Sequence, residues 1–231
     1  MRIAKALFIM SLMSSSLAVA QSTTNSIFIE QVGDNSTISI TQKGQSNKIG
    51  SEQSRVVIEG NAQNIDVTQE GNNNTINGSI EQADNIDYNT TVTGDNNTLT
   101  YDQGSAASVA GSTKTLTVTG DSNSLTFNQG TTSSATNATQ TIAITGDTNT
   151  LTSTINADDV VNTMTVAGDG NTIAMTQQGT AGKNVEMTLT GSTNNVTLNQ
   201  KSTTNVDTLK INSTSTGSTI TINQCNAGGP C

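Results

Sequence analysis

Carboxamides are the hydrogen-bonding groups that recur at fixed positions in this chain. Gln42, Gln53, Gln69, Gln103, Gln129, Gln177, Gln200 and Gln224 each stand nine residues after a Gly, or after Ser215 in the last case. Asn47, Asn74, Asn97, Asn123, Asn149, Asn171 and Asn194 each stand three residues after one. A carboxamide both donates and accepts hydrogen bonds, so a copy stacked about 4.8 Å above another satisfies both, and a buried column of them satisfies itself. Turn composition alone does not demand Gln at a set offset from Gly, and the spacing therefore predicts two ladders, one of Gln and one of Asn. Gln82 is displaced from the pattern by a two-residue insertion.

Other chemistry is thinly represented. The chain has no His and two Cys, so no Cys-His pair, no Ser-centred elbow and no acid-base constellation is available, and the carboxylates fall mainly in turns. An enzyme is not expected, nor is a cofactor or a metal site. Asp34, Asp95, Asp121, Asp147 and Asp169 follow the turn glycines as a column. Such a column either offers oxygens to calcium or serves as a turn former and solubilising charge. Recurrent Gly-Asp-x-Asn is not a phosphate loop, because no helix N-terminus is predicted behind it.

The elements that must carry these columns follow from the repeat. Copies begin at Gly33, Gly44, Gly60, Gly71, Gly94, Gly120, Gly146, Gly168, Gly191 and Ser215, and the full period is 22 to 26 residues, the early motifs marking both turns of a rung. Between the glycines Ile, Val and Leu alternate with Thr and Ser, the pattern of half-buried strands. A repeat that cannot bury its apolar face alone stacks on its neighbours. The expected fold is all-β, a β-solenoid of nine two-strand rungs with two facing parallel sheets, on the order of 40 Å long at the usual strand spacing. Its strands include 27–31, 37–42, 47–53, 55–59, 64–69 and 75–82 in the first three rungs. Ile38, Ile49, Ile65, Ile76, Leu99, Leu125, Leu151, Ile173, Val196 and Ile220 point inward from one side, and Val92, Val118, Ile144, Val166 and Leu189 from the other. This is a narrow aliphatic spine with no bulky centre. Gly at the turn is expected to supply positive φ.

Composition sets the remaining bounds. Only 32% of the residues are hydrophobic, with one Pro, no Trp and net charge −9, which argues against a conventional layered domain and would by itself suggest disorder, a reading that the strict apolar-polar alternation opposes. Residues 1–20 read as a secretory signal peptide: Arg2 and Lys5 precede an apolar stretch that ends in Ala18-Val19-Ala20. Its loss takes the charge from −9 to −11 and leaves no basic patch for nucleic acid. Residues 21–26 are a short lead-in, 27–224 the repeat domain and 225–231 a terminal Cys loop. In an oxidising compartment Cys225 and Cys231, with Gly-Gly-Pro between them, suit a local disulfide; the alternatives are a bond between subunits and, weakest with no His and only two thiols, a metal site.

Gln42-x-Gly44-x-x-Asn47 followed by Gln53, and Gln69-x-Gly71-x-x-Asn74, resemble the curlin repeat, Ser-x5-Gln-x-Gly-x-x-Asn-x5-Gln, over roughly residues 27–224. The resemblance implies a secreted subunit that stacks end to end into adhesive amyloid fibres at the surface of a Gram-negative bacterium. It also implies partners: further copies of itself, a nucleator subunit and an outer-membrane secretion channel. This chain departs from the pattern where the Gln before the Gly becomes Val92, Val118, Ile144, Val166 or Leu189, in its longer later loops, and in the CNAGGPC terminus. Outward Thr ladders, among them Thr100, Thr126, Thr152, Thr197 and Thr221, resemble the ice-binding face of some solenoid antifreeze proteins. A rigid adhesin stalk that forms no amyloid is a third reading.

Overall fold

A computed structural model of the chain describes residues 25–80, 85–104, 110–130 and 135–225. The expected signal peptide, Gln82, the centres of the two longest loops and Cys231 lie outside these residues. The described chain is all strand and turn, and every strand pair in it is parallel. It coils into a β-solenoid whose turns lie in register. Branched and small polar residues in alternation suit a pleated surface buried on one side, which is why they form these strands.

One long sheet runs from Ser26–Ile27 through Lys48–Ile49, Thr75–Ile80, Thr98–Gln103, Ser124–Gln129, Thr150–Ala157, Thr172–Gly179 and Asn195–Lys201 to Thr219–Cys225. The facing sheet holds Ile38–Ile40 and Ile65–Val67 at one end and the run from Thr113–Lys114 to Asp207–Ser213 beyond; bridges from Asn64 to Asp87 and from Asp87 to Thr113 join the two. The nine expected rungs become eight turns from Asn25 to Ser218, plus a final long-sheet strand. The difference lies at residues 47–59, expected as two strands of one rung. Lys48–Ile49 and Val56–Ile58 instead continue one interrupted strand, since both pair with Thr75–Ile80. Residues 51–55 bulge out between them, and Gln53 is exposed there rather than in a ladder.

Between the sheets runs the main apolar core, from Ile49 to Ile211, and a second, smaller cluster gathers Ala135, Ala138, Ile155, Ala157 and Val160. Leu99, Leu125, Leu151, Ile173 and Val196 stack as one column, and Val92, Val118, Ile144, Val166 and Leu189 are buried opposite. Ile38 and Ile65 are inward as expected but belong to the facing sheet. The core also has a bulky centre that alternation of aliphatics did not reveal. Tyr101 stacks on Phe127 with ring centroids 5.4 Å apart, and Tyr88 meets Tyr101 edge-on at 4.6 Å.

The turn glycines are explained by close approach, not by positive φ. Positive φ falls two residues later, at 55–59° in Ser46, Asn73, Asn96, Ser122, Thr148 and Thr193. A Cβ on Gly44, Gly71, Gly94, Gly120, Gly146, Gly168 or Gly191 would instead collide with the carbonyl oxygen of the residue stacked on it in the next turn. Gly33 and Gly60 mark the opposite corner, where the motif appears only in the first turns, and a Cβ on Gly33 meets nothing within 4 Å. Gly120→Ala is therefore expected to destabilise the fold by about 1–3 kcal/mol through overpacking against a backbone that cannot yield. Gly33→Ala is expected to stay within about 0.5 kcal/mol. Denaturant midpoints of the two variants compare them directly, and equal shifts would contradict the close-approach account.

Candidate functional site

The Asn column is continuous from end to end. Asn47, Asn74, Asn97, Asn123, Asn149, Asn171 and Asn194 are all buried at the corner before the long-sheet strands. Each Oδ1 accepts the backbone N–H of the next member: Asn97 donates to Asn74, Asn123 to Asn97, Asn149 to Asn123 and Asn171 to Asn149, all at 2.9 Å. From Asn97 onward each Nδ2 also donates to the preceding Oδ1, at 3.0–3.1 Å. Two residues extend the column beyond the expected set: Asn25 Oδ1 accepts from Asn47, and the Ser218 N–H donates to Asn194.

The single Gln ladder expected from the sequence resolves into two. Gln42 and Gln69 lie on the facing sheet, where Gln69 Nε2 donates to Gln42 Oε1 at 2.7 Å, and Val92, Val118, Ile144, Val166 and Leu189 succeed them in that column. Gln103, Gln129, Gln177, Gln200 and Gln224 share a long-sheet column, interrupted by Ile155. Gln177 donates to Gln200 at 2.8 Å and Gln200 to Gln224 at 2.7 Å. Gln103 and Gln129 bond across the core instead. Gln103 Oε1 accepts from Lys114 Nζ and Gln129 Oε1 from Gln140 Nε2, each at 3.0 Å, and the Ser112 hydroxyl accepts from Gln103 at 3.2 Å. The Gly-to-Gln offset is the same at both corners of the early turns, so the sequence could not assign each Gln to its sheet.

The turn aspartates run the opposite way to the asparagines. Oδ1 of Asp121, Asp147 and Asp169 accepts the backbone N–H of Asp95, Asp121 and Asp147 in the turn before, at 2.7–2.9 Å. Carboxylates thus accept charge-assisted hydrogen bonds from turn amides of the neighbouring turn. Asp34 stands apart at the other corner, accepting from the Asn61 N–H at 2.6 Å. Among the described residues no group of three or more His, Cys, Asp or Glu is placed to hold a metal. Cys225, the last described residue, is disulfide-bonded, and Cys231 is the only other cysteine in the chain.

Two buried lysines went unnoticed in the sequence. Period-two alternation carries the signal: Lys114 stands on the same side as Leu116 and Val118, and Lys183 on the same side as Val185, Met187 and Leu189. Lys183 Nζ donates to the carbonyls of Ala181 and Ser202 and pairs with Asp207 at 3.3 Å. Lys114 has an amide oxygen and two rings instead, its Nζ lying 4.9 Å from the Tyr101 centroid and 5.8 Å from that of Phe127. Burial without a carboxylate lowers its amine to about 7, and burial raises the Tyr88 and Tyr101 phenols.

No protein-family model matches this chain, and neither a curated protein nor a solved structure matches it.

The Lys114 environment makes stability depend on pH. The unfolded amine titrates near its ordinary value of about 10.4, and the folded one near 7. Between these values the unfolded chain binds more protons, so stability rises with pH across that window and is lowest below it. The buried phenols reverse the trend once pH passes about 10. Denaturant midpoints measured from about pH 7 to 9 are expected to climb in the wild type. Lys114→Met should be the more stable protein at the lower end and should lack the climb; an unchanged profile would mean that the amine is not buried uncharged.

Proposed function

We propose that this chain is the structural subunit of an extracellular, curli-like amyloid fibre, built by end-to-end stacking of solenoids. The observation that carries this reading is the match between the two ends of the long sheet. Register is resumed after the 51–55 bulge and kept in every other turn, so Asn25, Ile27, Ile29 and Gln31 at one end occupy the same columns as Ser218, Ile220, Ile222 and Gln224 at the other. A second copy placed there sets aliphatic on aliphatic and amide on amide.

The backbone edges are complementary as well. Phe28 donates to Ile49 and accepts from Val56, and Val32 donates to Ile58, so alternation turns the N–H and C=O of Ile27, Ile29 and Gln31 to the open edge. Throughout the interior, the residue after each ladder Asn donates to the Asn carbonyl of the next turn, as Thr98 does to Asn123. Thr219 is left with that donor free for an incoming Asn25. Neither end is covered by a helix or a further strand among the described residues, and Ile27 is 40% exposed. Such edges are templates for pairing. Among the described residues the second sheet stops one layer short of Thr219–Cys225, so the tail end is stepped, the head end differs, and the fibre so built is polar.

The leader-like N-terminus supports export, and with the curlin-like repeat it supports a bacterial cell-surface setting, with a nucleator subunit, an outer-membrane channel and a role in adhesion and biofilm. A second reading has an observation of its own. Thr100, Thr126, Thr152, Thr197 and Thr221 stand one above another on the outer face of the long sheet, broken by Ala174, and such a face suits ordered water or ice.

Mature protein left to assemble, then examined by electron microscopy and fibre diffraction, tests the proposal. Fibres with a meridional reflection at about 4.8 Å are expected. Ile29→Pro should abolish elongation, because it removes an open-edge donor while leaving the bonds to the next turn in place. Soluble monomers with no cross-β reflection would overturn the fibre reading; thermal hysteresis in that sample would favour the ice-binding one.

A further inference from the structure

Where Ile155 interrupts the long-sheet Gln column, buried polar groups on both sides lose their partners. Asn162 is 1% exposed, and both its Oδ1 and its Nδ2 lack a hydrogen bond. Its column on the facing sheet runs Lys114, Gln140, Asn162, Val185. The preceding members find cross-core partners in Gln103 and Gln129, whereas the residue at that level for Asn162 is Ile155. Gln140 Oε1 and Gln177 Oε1, in the turns on either side, are buried and unpartnered too, and so is the Ser153 hydroxyl.

The same level is short of side-chain volume. Ser153 stands in a column of large side chains, between Phe127 and Met175. A serine between a phenylalanine and a methionine supplies several heavy atoms fewer to its layer than its neighbours supply to theirs, a deficit of side-chain volume in an interior that proteins otherwise pack closely. Polar walls and sufficient room are the two conditions for an internal water.

We propose that the solenoid holds buried water at the Ile155 level, bonded to Asn162, Ser153 and the flanking Gln140 and Gln177 oxygens. The donor set selects the ligand. Three carbonyl oxygens require donors, which excludes an anion, while the Asn162 NH2 requires an acceptor, which a metal cation cannot supply. A small molecule that donates and accepts in equal measure fits, and a hydroxyl group or water is the class that does so. The inference is independent of the fibre reading. It places the water where Ile155, the one aliphatic between Gln103 and Gln224, interrupts the Gln column.

Water-selective nuclear Overhauser spectroscopy on the folded full-length protein tests this, with water itself as the probe. Cross-peaks from the Asn162 side-chain NH2 to water are expected, with the sign of a molecule resident longer than the protein's tumbling time. The Asn123 side chain, bonded within its column, should show none. Ser153→Met fills the space with the side chain of the next turn and should abolish the Asn162 cross-peaks. The proposal is overturned if wild-type Asn162 shows no contact with water, if its NH2 proves to donate directly to Gln140 or Gln177, or if the cross-peaks survive in a folded Ser153→Met.

Discussion

A buried carboxamide must place its oxygen and its NH2 at the same time, and in the asparagine column stacking does both: each Oδ1 accepts the N–H of the next copy, while the NH2 reaches the stacked Gly carbonyl, the preceding Oδ1 or both. The Asn column from Asn25 to Asn194 is that arrangement carried through every turn. Its consequence is strict register. A turn displaced by one residue would bury unpaired amides and expose its aliphatic face together, so insertions are confined to places that leave the column intact. The bulge at 51–55 and the longer loops after Gly104 and Gly130 obey that condition. The glycine column beside the asparagines belongs to the same constraint, since the turns approach so closely there that the next carbonyl occupies the space of a Cβ.

Register then decides the core and the ends. Stacked identical positions give continuous columns of Leu, Ile and Val, and a substitution in one column is answered across the core rather than along it. Lys114 and Gln140 sit where neighbouring turns carry Tyr88 and Asn162, and each is met by a glutamine from the long sheet. Ile155 fails to meet Asn162, and the disturbance extends to the turns on either side. A spine of this kind has no natural end. The last strand offers what every internal strand offers, which is the physical basis for reading the molecule as a unit of a longer polymer.

Much of this was legible because periodicity survives in one dimension. The Asn column, the parallel solenoid and the inward aliphatics follow from fixed offsets to Gly, and all of them appear in the structure. Assignments that needed the third dimension did not follow. Gln42 and Gln69 have the same offset as Gln103 yet lie on the other sheet, and Gln53 has it too but sits on a bulge. The second-turn strands were divided because Lys48–Ile49 and Val56–Ile58 are separated in sequence by the bulge, although one neighbouring strand pairs with both. The aromatic cluster was hidden because Tyr88, Tyr101 and Phe127 are scattered across 40 residues and meet only when turns are stacked.

The asparagine column holds register through directional bonds, and hydrogen exchange in Asn123→Ala tests this most directly. Asn123 Oδ1 accepts the Asn149 N–H, while the Asn123 N–H itself donates to Asn97. The substitution should therefore cost about 1–3 kcal/mol and speed exchange of the Asn149 amide, while the amide at position 123 stays protected. Equal protection at 123 and 149, with stability within about 0.5 kcal/mol of wild type, would contradict the account.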